Sequence, residues 1–90
     1  MRAHRYRVKG RVQGVGFRYF TYRVARSLAI KGWARNLGNG DVEIHAEGDP
    51  TSVSEFQSRI ESGPPLARVS EIEVESATAE DAEDFSIRHS

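Results

Sequence analysis

Between Gly10 and Arg18 the chain reads Gly-Arg-Val-Gln-Gly-Val-Gly-Phe-Arg, which places three glycines and an arginine where an anion could be held. Gly14 and Gly16 permit positive φ and let a ligand approach main-chain N–H groups with no Cβ in the way. If a helix follows, the unpaired N–H donors of its first turn and the positive end of its dipole converge on the same spot. Arg18, in that first turn, adds a planar fork that matches two phosphate oxygens. Each part alone is ordinary, because glycines between a strand and a helix often form only a turn and a helix arginine is usually solvated. Their order on one short stretch favours a phosphate-binding loop over a plain turn.

The elements that must position this loop follow from periodicity. Residues 5–12 alternate Arg5, Arg7, Lys9 and Arg11 with Tyr6, Val8, Gly10 and Val12, the period of a strand with one buried face. From Phe17 the apolar residues recur as Phe17, Phe20, Val24 and Leu28, which predicts an amphipathic helix ending at Gly32. Residues 33–37 and 41–48 read as short strands joined through Asn39-Gly40, a pair whose tolerance of positive φ marks a hairpin. Asp49-Pro50 supplies an N-cap and a first-turn proline for a second helix carrying Val53, Phe56 and Ile60, which stops before Gly63-Pro64-Pro65.

Ile72 and Val74 then alternate with Glu71, Glu73 and Glu75, and residues 85–89 alternate again after an acidic turn at 80–84. The resulting order predicts an α+β fold: a ferredoxin-like βαββαβ sandwich whose antiparallel sheet carries two helices on one face, with a short extra C-terminal strand. Residues 1–90 are expected to form one domain, with no internal repeat or linker.

Composition narrows the chemistry. The chain is 38% hydrophobic and 29% charged, as a globular protein is, and it has no cysteine. Disulfides, thiolate zinc sites and cysteine nucleophiles are thereby excluded, and no cofactor is expected. Neither a membrane span nor a signal peptide is legible, so a cytoplasmic location is expected. Residues 1–45 hold ten Lys and Arg against two Asp and Glu, and residues 46–90 hold three against eleven. In a compact fold these halves can neutralise each other, leaving an anion site in the basic half. His4, His45 and His89 lack ligand spacing and read as surface or strand residues; the Glu71, Glu73, Glu75 stripe reads as a solvated face, so no metal is expected.

Three other loops compete with the phosphate cradle. A Walker loop needs Gly-Lys-Ser or Gly-Lys-Thr at the helix entry, and a dinucleotide fingerprint needs a third glycine where Tyr19 stands. Gln13 to Phe20, QGVGFRYF, is similar to the RNP1 pattern of RNA-recognition domains, which share the βαββαβ order. RNP1 belongs on the third strand with aromatics on a sheet face, whereas this string runs into the first helix and Phe17 and Phe20 face the core. It also lacks an aromatic at Val15, and the third strand, DVEIHAEG, has none.

The residues GRVQGVGFR, then GWARNLGNGDVEIHAEG and SGPPLARVSEIEV, resemble the acylphosphatase family over nearly the whole chain. The resemblance implies a small metal-independent enzyme that hydrolyses carboxyl-phosphate anhydrides. It also implies catalytic roles for Arg18, as the group binding the phosphoryl, and Asn36, as the group positioning the attacking water. The main-chain cradle would comprise Arg11, Val12, Gln13, Gly14, Val15, Gly16 and Phe17. The family domain also occurs inside larger carbamoyl-transferring maturation proteins and as copies that look noncatalytic; a free chain of this length favours the stand-alone enzyme.

The chemistry suits these residues. The leaving carboxylate is stable, so positioning and charge stabilisation can suffice. The Asn36 amide can hold a water in line without taking its proton; by itself Asn36 reads more readily as a polar strand residue near a hairpin, and it is the motif that favours the functional role. Gln13, Tyr19, Tyr22 and Arg23 fall near the mouth of the site, as candidates for touching the acyl group or as residues that touch only water. The expected partners are a small-molecule acyl phosphate and inorganic phosphate as product and inhibitor, with no nucleic acid or membrane, and the expected state is a monomer. The alternatives are a noncatalytic phospholigand-binding module and RNA binding.

Overall fold

A computed structural model describes residues 2–89. The elements run β1 (Arg2–Arg11), α1 (Phe17–Ser27), β2 (Lys31–Asn36), β3 (Val42–Gly48), α2 (Pro50–Ser62), β4 (Arg68–Ser76) and β5 (Phe85–Arg88). Alternation builds the sheet: Tyr6 and Val8 of β1, Ala34 of β2, and Val42, Ile44 and Ala46 of β3 are all buried in the core. The helices bring Phe17, Val24 and Ala25 of α1 and Val53, Phe56 and Ile60 of α2 to that same core. Burying one of the larger of these side chains, a valine, isoleucine or phenylalanine, stabilises the fold by roughly 1.5–3 kcal/mol. The buried Thr21 hydroxyl is satisfied within α1 by donating to the Phe17 carbonyl at 2.9 Å.

The strand order is β4-β1-β3-β2-β5. Four strands pair antiparallel, as the sequence predicts, and the short extra C-terminal strand β5 joins the edge parallel to β2, which makes the sheet mixed. The cause is topological. β4 ends at the end of the sheet where β2 begins, so residues 77–84 carry the chain across to the far edge and β5 starts beside the start of β2. The same directions bring the last residues of β1, β2 and β5 and the first turn of α1 to one end of the sheet.

Two local expectations also change. The first helix does not end at Gly32. It stops at Leu28, and Ala29 takes the left-handed turn at φ 56°. Gly32 instead lies inside β2 at φ 142°, opposite Ala46, where a Cβ would stand 1.8 Å from the His45 carbonyl oxygen. In the hairpin only Gly40 adopts positive φ; the Asn39 side chain closes the turn by accepting from the Asp41 N–H at 3.0 Å.

Opposite charges meet on the sheet face away from the helices. Arg5 and Arg35 pair with Glu43 at 3.7 and 2.6 Å, and Lys9 pairs with Glu73 at 3.2 Å. Trp33 is buried there beneath the Arg5, Arg35 and Arg88 guanidinium groups, and its Nε1 donates to Glu80 at 2.9 Å. Segment 77–84 is tied down at that point, because the Glu80 N–H donates to the buried carboxylate of Glu47. Arg5 Nε donates to His45 Nδ1 at 3.3 Å, which places the ring proton on Nε2, 2.6 Å from Glu47. His45, expected to be a surface or strand residue, is thus a fully buried strand residue. No helix among the described residues is long and apolar enough to cross a membrane.

Candidate active site

The loop begins at an irregularity. The pairing of β1 with β4 shifts register between Lys9 and Gly10, and such a bulge turns the strand end. Gly14 and Gly16 then take φ 74° and 77°, with nothing within 4 Å of where a Cβ would stand on either. Their backbone conformation would strain any other residue, and the space beside them stays open.

Gly16 is the N-cap of α1, which has no side-chain cap and no acidic residue in its first turn. Its carbonyl already accepts from the Phe20 N–H at 3.0 Å, so by helix geometry the N–H groups of Phe17, Arg18 and Tyr19 have no partner within the helix. The helix therefore presents donors and positive potential to whatever occupies this end of the sheet.

Val12, Gly14, Gly16, Phe17, Arg18 and Asn36 line one cleft of about 270 Å³. Arg18 Nη1 donates to the Arg88 carbonyl at 2.9 Å, which holds the guanidinium against the end of β5 and leaves its other N–H groups available. Asn36 is the last residue of β2, and its Oδ1 is buried with no hydrogen-bond partner among the described residues. An unpaired buried acceptor costs roughly 1–3 kcal/mol, which a donor that reached this oxygen would recover.

The remaining loop residues stand elsewhere. Arg11 closes β1 opposite Arg68, and neither it nor Val15 lines the cleft. The sequence places Gln13 near the mouth, but its side chain turns inward and donates to the Leu37 and Asp41 carbonyls at 2.8 and 2.9 Å, pinning the loop to the hairpin that begins just after Asn36. Ile87 and His89 also line the cleft. Sequence reasoning missed both in this role, because nothing local to residues 85–89 signals that they run beside β2.

A larger cavity of about 410 Å³ lies on the opposite sheet face among Arg5, Arg7, Glu43, Glu73 and Glu75. Its carboxylates outnumber its cations, which suits an anion poorly. Among the described residues no three His, Asp or Glu side chains gather as a metal site would require. The RNA-recognition alternative loses its aromatic platform, since Phe17 is buried and its string opens a helix.

A sandwich of this topology with a glycine loop feeding an uncapped helix defines a small α+β protein whose first helix opens onto one end of the sheet. The acylphosphatase family model matches residues 4–87, and the chain belongs to the acylphosphatase family. It is 51% identical over 89 residues to an acylphosphatase of Thermotoga petrophila, covering 99% of both chains. It superposes on the crystal structure of acylphosphatase from Bacillus subtilis with TM-score 0.95 at 39% identity, covering 98% of this chain and 99% of that one. It is also 50% identical over 88 residues to the carbamoyltransferase HypF2 of Cupriavidus necator, a match that spans 96% of this chain and 11% of that protein.

Proposed function

We propose that this protein hydrolyses acyl phosphates to a carboxylate and inorganic phosphate in the cleft between the 12–16 loop and the end of β2. The observation that carries this is the meeting of Arg18, an uncapped helix N-terminus and the unpartnered Oδ1 of Asn36 around one small cavity. Main-chain donors of the loop and first turn, with the Arg18 guanidinium, bind the phosphoryl oxygens and match the charge that develops on them. Asn36 Oδ1 accepts a hydrogen bond from the attacking water, aiming the water's oxygen lone pair at phosphorus.

The water oxygen bonds to phosphorus as the bond to the bridging oxygen breaks. The electron pair of that bond leaves with the carboxylate, and the water proton passes to a phosphoryl oxygen of the substrate. No metal is needed for any of these steps. Only the phosphoryl group is gripped by the cradle, and inorganic phosphate, the product, occupies the same donors.

The test is hydrolysis of benzoyl phosphate by purified protein in the presence of a chelator. Arg18→Ala and Asn36→Ala should each reduce kcat by roughly a hundredfold or more while circular dichroism is unchanged. Phosphate should inhibit competitively. Full activity in both variants would overturn these roles, and phosphate binding without any turnover would identify a noncatalytic module instead.

A further inference from the structure

We infer that the groove between α1 and α2 is the acyl subsite, and that it favours acyl phosphates whose apolar acyl group ends in a second anion. This rests on the phosphoryl reading of the neighbouring cleft. The groove, about 500 Å³, is lined along α1 by Tyr19, Phe20, Arg23 and Val24, with Pro64 and Arg59 also lining it. Both cavities include Gly16 and Tyr19, so an acyl phosphate held by the loop can extend its acyl group directly into the groove.

The helix sets the length. Gly16 and Arg23 are seven positions apart, so at about 1.5 Å per residue the Arg23 backbone stands roughly 10 Å along the axis from the cradle, and its guanidinium reaches over the Tyr19 ring between them. Between them Tyr19 is 58% exposed and offers its ring beside the apolar floor of Phe20 and Val24. Arg59 is engaged by Glu55 at 3.1 Å. Arg23 has no carboxylate within 4 Å among the described residues, and its guanidinium carbon lies 5.9 Å from the Tyr19 ring centroid. A free cation beyond an aromatic wall fits an aryl or alkyl group tipped with a carboxylate. An acetyl group is too short to reach it, and a benzoyl group reaches the floor but offers Arg23 nothing.

Steady-state kinetics with acetyl, benzoyl and 4-carboxybenzoyl phosphate on the full chain and on Arg23→Gln and Arg23→Lys test this. Arg23→Gln should raise KM for the 4-carboxybenzoyl substrate about tenfold with kcat unchanged, as loss of one charge-assisted contact predicts. Constants for the other two substrates should stay within about twofold, and Arg23→Lys should recover most of the lost affinity. An equal loss on all three substrates, or no loss on any, overturns the subsite. Failure of the unaltered chain to hydrolyse acetyl phosphate would instead overturn the phosphoryl reading itself.

Discussion

Replacing Gln13 by leucine removes the pin between the phosphate loop and the hairpin while keeping side-chain volume close to constant. Two bonds are lost, from Nε2 to the Leu37 and Asp41 carbonyls. Neither acceptor is orphaned, because Leu37 O still accepts from Gly40 N at 3.2 Å and Asp41 O from Leu37 N at 2.8 Å. The cost is therefore two net hydrogen bonds at about 1 kcal/mol each, without a further desolvation penalty, or about 2 kcal/mol. For a chain this size each kcal/mol moves Tm by about 4–8 °C, so calorimetry should show a fall on the order of 10 °C.

The pin also joins the two halves of the cleft, since Asn36 immediately precedes Leu37. Loosening it should let the amide drift relative to the loop, and misplacement of even 1 Å can cost up to about a hundredfold in rate. A tenfold fall in kcat on benzoyl phosphate is the expected middle of that range. A Tm within 3 °C of the parent would refute the energetic assignment. A lowered Tm with unchanged kcat and unchanged phosphate inhibition would refute the coupling between the pin and the site.

Gly32→Ala should lower stability by roughly 3 kcal/mol or more, read by urea unfolding, because the new Cβ meets the His45 carbonyl oxygen and the backbone sits at φ 142°; a change below 1 kcal/mol would contradict the close approach of β2 and β3. Burial pushes the Glu47 carboxyl upward, but hydrogen bonds from the Glu80 N–H and the His45 ring outweigh it and hold the group below its ordinary 4.5. A carboxyl lowered in the fold contributes stability that is present above 4.5 and lost as pH falls through the folded value. Glu47→Gln should accordingly lower Tm at neutral pH and flatten its decline below about pH 4.5; an unchanged acid limb would show that the network under segment 77–84 carries none of it.

Much of this protein was written locally. The alternation of Tyr6 and Val8, the spacing of Phe17 and Val24, the Asp49-Pro50 helix start and the Gly14-Val15-Gly16 loop each depend on residues a few positions apart, so period and turn chemistry suffice to read them. Arg18 beside a loop of unpaired N–H groups is local in the same sense. The folded chain alone decided what depends on distant pairing. Asn36 reached the cleft because β2 ends where α1 begins, Gln13 turned from the mouth to pin the hairpin, and Ile87 and His89 joined the cleft through a parallel β5.

Gly32 was misread for a related reason. A glycine after a helical period looks like a stop, whereas its requirement comes from the His45 carbonyl on a neighbouring strand. Nor did the sequence distinguish His45 and Glu47 from solvated strand residues, since their burial depends on segment 77–84 crossing the open face to Glu80. Periodicity reports which side of an element is apolar; which elements lie side by side, and what the chain between them covers, is decided only when long-range contacts close.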